Sequence, residues 1–268
     1  MKTVFITGAS SGIGRETAKY FQKKGWNVAA TMRTPEKETE LNTLPNVKCI
    51  ALDVQDPDAV NKAINEAIGA FGSINVIVNN AGFSLIGPFE TTPANDIKRQ
   101  YETNVFGTMN VVRGILPHFR EKKSGTIVNL ASIGGRVGFP LYSLYNSTKW
   151  AIEGFSESLQ YELIQFGIRV KIIEPGVIKT DFYGRSMTKT HKNEDSAYGS
   201  YANKAIEKLM GVGKTGITPD KVAKKIFKAA TSKNWRLRYN VGPDAKMLMF
   251  ILKFFPFRVV RSIVKGLA

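Results

Sequence analysis

The sequence has 268 residues, 43% of them hydrophobic and 10% aromatic. That length suits one large α/β domain, and the apolar content excludes disorder over most of the chain. One cysteine, Cys49, and two distant histidines, His118 and His191, exclude an internal disulfide and leave no recognisable metal-ligand cluster, so no metal site is expected. The 38 basic against 22 acidic residues give a net charge of +16, which suits an anionic cofactor, an anionic membrane or nucleic acid. The cations are spread along the chain with no nucleic-acid-binding motif among them, so no nucleic-acid partner is expected.

In chain order, short β-rich runs at 3–7, 27–31, 47–52, 75–79, 126–131 and 168–174 alternate with helically spaced stretches at 12–24, 57–71, 97–120 and 144–166. Repeated strand–helix units predict parallel strands covered by helices on both faces. The first residues lack the long apolar run of a secretion signal, so a reducing, cytoplasmic setting is expected. Residues 181–215, with a polar stretch at 185–196, are expected to form a mobile region over a substrate site. A helix near 218–231 and a strand near 236–241 follow, then a basic, apolar stretch at 246–268.

The segment Thr7-Gly8-Ala9-Ser10-Ser11-Gly12-Ile13-Gly14 sits between the first predicted strand and the first predicted helix. There Gly8 suits a tight turn, Gly12 a close backbone approach and Gly14 tight helix–strand packing, while helix N–H groups face an anion such as pyrophosphate. Alone, such glycines are as readily a plain turn.

They do not stand alone: Asn79-Asn80-Ala81-Gly82, Ser132, Tyr145-x-x-x-Lys149 and Pro175-Gly176 follow in order. With them, residues 1–180 resemble the short-chain dehydrogenase/reductase family. The resemblance implies a single Rossmann-like domain over 1–268, with a doubly wound parallel sheet of about seven strands and helices on both faces. It also implies a nicotinamide cofactor and interconversion of an alcohol and a carbonyl compound.

Tyr145 and Lys149 stand four apart, on one helix face, so the ammonium can favour a phenolate that an ordinary tyrosine, with a pKa of about 10, does not form at neutral pH. Tyr145 is then the expected proton donor and acceptor, and Ser132, at a strand end, the expected partner of the carbonyl oxygen. By resemblance Lys149 also holds the cofactor ribose, and Asn104 completes the catalytic set by holding a water linked to Lys149. The resemblance further implies cofactor contacts from Asp53 and Val54, from Asn80, Ala81 and Gly82, and from Pro175, Gly176, Val177, Ile178 and Thr180. Alternatively, Asp53 could cap the helix that begins near Pro57, although Asp56 is better placed to do so.

An acidic residue at the end of the second strand would select NAD, but Met32 stands there, followed by Arg33. Arg33 with Arg15 suits a 2′-phosphate, so NADP(H) is the expected cofactor. Substrate walls are expected from Ile133 to Tyr142 and after Thr180, where Phe139, Leu141, Tyr142, Val177, Phe182 and Tyr183 predict an apolar pocket.

Residues 246–268 are too interrupted by charges to span a bilayer; they fit a peripheral membrane contact, a pocket lid or a subunit interface. This stretch and Arg-Tyr-Asn-Val-Gly-Pro-Asp-Ala at 238–245 are similar to hydroxysteroid and retinol dehydrogenase-like members, implying an apolar alcohol or carbonyl substrate. Pairing of the helices at 97–120 and 144–166 between subunits, common in the family, implies a homodimer or homotetramer. A non-catalytic NADP(H)-binding regulator, a membrane-surface binding protein, and an epimerase or dehydratase are the alternatives.

Overall fold

Valine- and isoleucine-rich runs form the central sheet of the computed structural model, which describes residues 1–180, 187–189, 197–213 and 215–266. In chain order the elements are β1 (Thr3–Thr7), α1 (Gly12–Lys23), β2 (Asn27–Met32), β3 (Val47–Ala51), α2 (Pro57–Phe71), β4 (Val76–Asn79) and β5 (Ser84–Ile86). Then come α3 (Ala94–Tyr101), α4 (Gly107–Glu121), β6 (Gly125–Leu130), α5 (Ser143–Leu163), β7 (Ile168–Pro175), β8 (Met187–Lys189) and α6 (Gly199–Gly213). The chain continues through α7 (Pro219–Thr231), β9 (Arg238–Val241), α8 (Pro243–Phe254) and α9 (Phe257–Lys265).

Seven strands pair in the order β3-β2-β1-β4-β6-β7-β9, every neighbour parallel. In β1, Val4 and Ile6 pack with Phe21 of α1 and Ile226 of α7, while Phe5 packs with Ile64 of α2, Phe119 of α4 and Leu159 of α5. A strand covered on both faces must be apolar at successive positions, which is why β1 reads Val-Phe-Ile. Full burial of one such side chain contributes roughly 1.5–3 kcal/mol. The chain winds outward from β1 to β3, then returns to β4 on the other flank of β1. That reversal leaves a crevice beyond the carboxyl ends of the strands.

Three details differ from the expected elements. The stretch expected as one helix over 97–120 is α3, a π-helical turn Glu102–Phe106, and α4. Part of the 181–215 region is regular: β8 pairs with β5, and α6 buries Ala202, Ala205, Ile206 and Leu209, a helical spacing that a reading for polar loops passes over. The rest of that region, including most of 185–196 and both Phe182 and Tyr183, lies outside the described residues. The cap of α2 is Asp56, whose carboxylate accepts from the N–H groups of Asp58 and Ala59 at 2.9 and 3.2 Å.

Candidate active site

The glycine turn is held by backbone geometry and by β4. Gly8 and Gly12 have φ of 66° and 53°, in the left-handed region. A Cβ on Gly14 would lie 2.3 Å from the Gly8 carbonyl oxygen and 2.6 Å from Asn80 Nδ2, so α1 can start this close only on a glycine. Thr7 Oγ1 accepts from the N–H groups of Asn80 and Ala81, both at 3.0 Å, and Asn80 Nδ2 donates to the carbonyls of Thr7 and Gly8 at 2.9 and 3.0 Å. Ser11 makes no side-chain cap and the first turn of α1 holds no acid, which leaves the positive helix end to an outside anion.

This turn opens on a cleft of about 770 Å³ across the strand ends. Gly8, Ser10, Ser11, Gly12, Ile13 and Arg15 line one side, with Arg33 beyond β2 and Asp53 and Val54 beyond β3. Asn80, Ala81 and Gly82 follow β4, Ser132 follows β6, and Pro175, Gly176, Val177, Ile178 and Thr180 come from β7 and the residues after it. Tyr145 and Lys149 reach the same cleft from α5. Of the expected site residues, Gly14 lies beneath the wall, and Asn104 lies behind it.

On α5, Tyr145, Lys149 and Glu153 recur every four residues along one face. The Lys149 Nζ lies 5.7 Å from the Tyr145 ring centroid and donates to the Leu130 carbonyl at 2.7 Å. Burial pulls the Lys149 pKa down to about 8, against the charge of Glu153. Glu153 is itself pushed up to about 8 by burial and by neighbouring Glu174, against Arg238. Arg238 donates to Glu153 at 2.9 Å and Arg136 to Glu174 at 3.1 Å, so the carboxylates beneath Lys149 share two guanidinium groups. Ser132 Oγ accepts from the Gly134 N–H at 3.1 Å, which fixes the turn that carries it.

The π-helical turn explains Asn104. Its amide is buried, with Nδ2 donating to the Phe83 carbonyl at 2.8 Å and to Thr148 Oγ1 at 3.2 Å, and Oδ1 accepting from the Phe83 N–H at 3.0 Å. The widened turn aims it between β5 and α5, and so ties the residue after Gly82 to the helix of Tyr145.

At the cleft end beside β2, Arg15 Nη2 donates to Glu38 Oε2 at 2.6 Å, and the Glu38 side chain is 1% exposed. Burial raises the Glu38 pKa, but bonds from the Leu41 and Glu40 N–H groups and from Arg15 outweigh it and hold the carboxyl ionised. Arg15 is therefore already engaged by an acid, whereas Arg33 stands exposed at the cleft wall, with Lys37 lining the same end.

Several wall residues carry no sequence signal. Glu38 and Lys37 lie in an irregular polar segment, and Leu209 arrives from α6. Asp244, which lies behind the wall, had a faint one, as an acid in the first turn after Gly242-Pro243. Its carboxylate accepts from the Val177 N–H at 2.6 Å and crowds Gly176, fastening the segment after β7 to α8. Cys49 lies away from the cleft, its thiol pushed up to about 11 by burial.

A sequence model of the short chain dehydrogenase family matches residues 2–191, which cover the turn, the cleft wall apart from Leu209, and the Tyr145–Lys149 pair. The chain belongs to this family. Similar members include the uncharacterized oxidoreductase YusZ of Bacillus subtilis, 36% identical over 98% of this chain and 97% of that one. The 3-ketodihydrosphingosine reductase of Bacteroides thetaiotaomicron is 34% identical over 91% of this chain and 89% of its own. Among solved short-chain dehydrogenases, one from Streptomyces avermitilis superposes with a TM-score of 0.85 at 32% identity, covering 99% of this chain and 95% of that one. The NADP-bound ElxO superposes at 0.74 and 33% identity, over 90% of this chain and 96% of that one. As in that family, the chain is an oxidoreductase fold around a nucleotide-binding cleft.

Proposed function

We propose that the chain reduces a ketone on an apolar carbon skeleton to a secondary alcohol, using NADPH. The observation that carries the reading is the meeting of Ser132, Tyr145 and Lys149 in the cleft that the glycine turn opens. The residues fit a nicotinamide dinucleotide: an uncapped helix end for its pyrophosphate, and Arg33 and Lys37 for a 2′-phosphate. When bound, NADPH supplies the hydride. Tyr145 gives its phenolic proton to the developing alkoxide, and Ser132 donates to the same oxygen to hold it in place. Lys149 stabilises the phenolate left behind and binds the ribose hydroxyls, and Asn104 orders the α5 end of the proton path to solvent. Asp53 with Val54, Asn80 to Gly82, and Pro175 to Thr180 seat the adenosine and the nicotinamide.

Arg33, with Arg15 held by Glu38, favours NADPH, and the NADP carried by ElxO agrees with that choice. A ketone substrate is favoured by the 3-keto compound in the name of the Bacteroides relative and by the apolar wall of Phe139, Tyr142 and Leu209. Assembly into a homodimer or homotetramer would cover exposed Phe106 beside α4 and exposed Trp150 and Tyr161 on α5. The test is NADPH oxidation against ketones of increasing chain length, steroids, retinoids and quinones. Turnover that rises with chain length in an aliphatic ketone is expected. No oxidation of any carbonyl compound, with NADPH still bound, would instead favour a non-catalytic cofactor-binding protein.

A further inference from the structure

The helices α8 and α9 turn a large apolar surface outward. On α8, Met247, Phe250 and Phe254 share one exposed face, with the two phenyl rings 4.8 Å apart between centroids. Beyond Pro256, Phe257 and Ile263 of α9 are exposed as well; Phe254 is 61% and Phe257 67% exposed. Lone exposed apolar residues are ordinary, but this many exposed aromatic and aliphatic side chains on one short helix pair mark a contact surface.

The pair is nevertheless seated on the body. Leu248 and Val260 are buried with Val137, and Lys208 Nζ of α6 donates to the Gly266 carbonyl at 2.7 Å. Phe139 packs on this cluster and also lines the cleft, so the buried underside of the helix pair adjoins the substrate end through one side chain. No described residue of α8 or α9 lines the cleft itself, which argues against a lid.

Charge identifies the occupant. From 246 to 266 the charged residues are Lys246, Lys253, Arg258, Arg261 and Lys265, with no acid among them. A twofold contact with a second copy would set five cations against five. Anionic headgroups oppose them instead, and aromatic rings with basic side chains on a short helix pair suit the boundary between headgroups and acyl chains. Among the described residues no helix is long and apolar enough to cross a membrane, so the contact is in the interface plane.

We infer that α8 and α9 dock this chain on an anionic membrane surface, with the substrate end of the cleft beside the contact. The inference does not rest on the proposed reaction. It is tested by flotation of the 268-residue chain with vesicles of phosphatidylcholine alone, and with about one-third phosphatidylglycerol. The chain should float with the anionic vesicles only, and be released as salt shortens the screening length. Replacing Phe254→Glu with Phe257→Glu should abolish flotation while leaving the melting curve and NADPH binding unchanged, since both rings are already exposed. Replacing Arg258→Gln, Arg261→Gln and Lys265→Gln should weaken partition about a hundredfold, at roughly fivefold per cation. Absence from the anionic vesicles at low salt would overturn the inference, as would equal flotation of the triple glutamine variant. A dimer in size exclusion that Phe254→Glu splits, with no flotation, would identify a second copy as the occupant.

Discussion

At the cofactor end of the cleft nearly every wall residue leaves a strand of the seven-stranded sheet within a few positions, whereas the substrate end is walled by the 133–142 turn, Thr188 beside β5 and Leu209 of α6. The first end is made of backbone and small residues: Gly8, Gly12, Asn80, Ala81 and Gly82, tied by the Thr7 and Asn80 bonds to β4. The second is made of Phe139, Tyr142, Tyr145 and Leu209, large side chains that pack on one another. A cradle of N–H groups tolerates little change in sequence, while a wall of side chains can be re-cut for another substrate without disturbing the sheet. The proposed chemistry sits at the seam between the two, on α5.

The largest break in this comparison is at the seam. Tyr145→Phe should lower kcat by roughly 10²–10⁴-fold while fluorescence titration gives unchanged NADPH affinity. Retained turnover would remove Tyr145 from proton transfer and move that role to another lining group such as Tyr142 or Lys149.

The next compares one methyl group at the two ends. In Gly14→Ala the new Cβ meets the Gly8 carbonyl oxygen at 2.3 Å, and backbone cannot step aside. The loss should reach the upper part of the overpacking range, about 3 kcal/mol, or a Tm lower by roughly 6–12 °C for a domain of this size. In Gly211→Ala on α6 the added Cβ meets nothing within 4 Å. There alanine should stabilise the helix by roughly 0.5–1 kcal/mol. Equal shifts in thermal melts would erase the distinction between the ends.

The same contrast governs how much of the molecule is legible in its sequence. β1, β4 and β6 were legible because strands buried on both faces are largely apolar, and the edge strands β3 and β9, which carry Lys48, Arg238 and Asn240, from their place in the strand–helix alternation. The glycine turn was legible because its spacing follows from backbone sterics. Asp56 was legible as a cap for the same local reason. α6 was not, since its apolar positions Ala202, Ala205, Ile206 and Leu209 are set among polar residues after a long polar stretch. The π-helical turn at Asn104 was not either: one extra residue per turn leaves the pattern of 97–120 nearly unchanged. Glu38 and Asp244 act on Arg15 and Val177 across 23 and 67 positions, contacts that no local pattern encodes. The arginine clasp foreseen for Arg15 is altered by the first of these, because a buried carboxylate already holds that guanidinium.

Arg33→Ala sharpens the cofactor end further. Loss of a hydrogen-bonded charge pair of about 1.5–3 kcal/mol should raise the KM for NADPH by roughly 10–100-fold and leave NADH use unchanged. An unchanged KM for NADPH would shift 2′-phosphate recognition to Arg15 or Lys37. Arg15→Ala is the paired measurement: it strips Glu38 of its guanidinium, so stability should fall along with cofactor affinity, whereas Arg33→Ala should leave the melting curve in place.

A pH dependence is stored under the seam. Glu153 is pushed up to about 8 by burial and Glu174, above an unfolded value near 4.3. The folded chain therefore binds its proton more tightly than the unfolded chain does. The stability it contributes is fully present below the unfolded pKa and is lost as pH rises through about 8. Lys149 acts in a different window: burial depresses it to about 8, so its contribution is lost as pH falls from the ordinary lysine range through 8, and is constant below. His118, lowered chiefly by burial, is common to the wild type and a Glu153 variant and cancels in their difference. Glu153→Gln keeps a neutral, hydrogen-bonding side chain at every pH. The two proteins should melt alike near pH 5, and the variant should gain steadily on the wild type up to pH 8. Parallel melting curves across that range would mean that Glu153 is ionised throughout, with Arg238 outweighing burial and Glu174, and that the ammonium of Lys149 rests over a full negative charge.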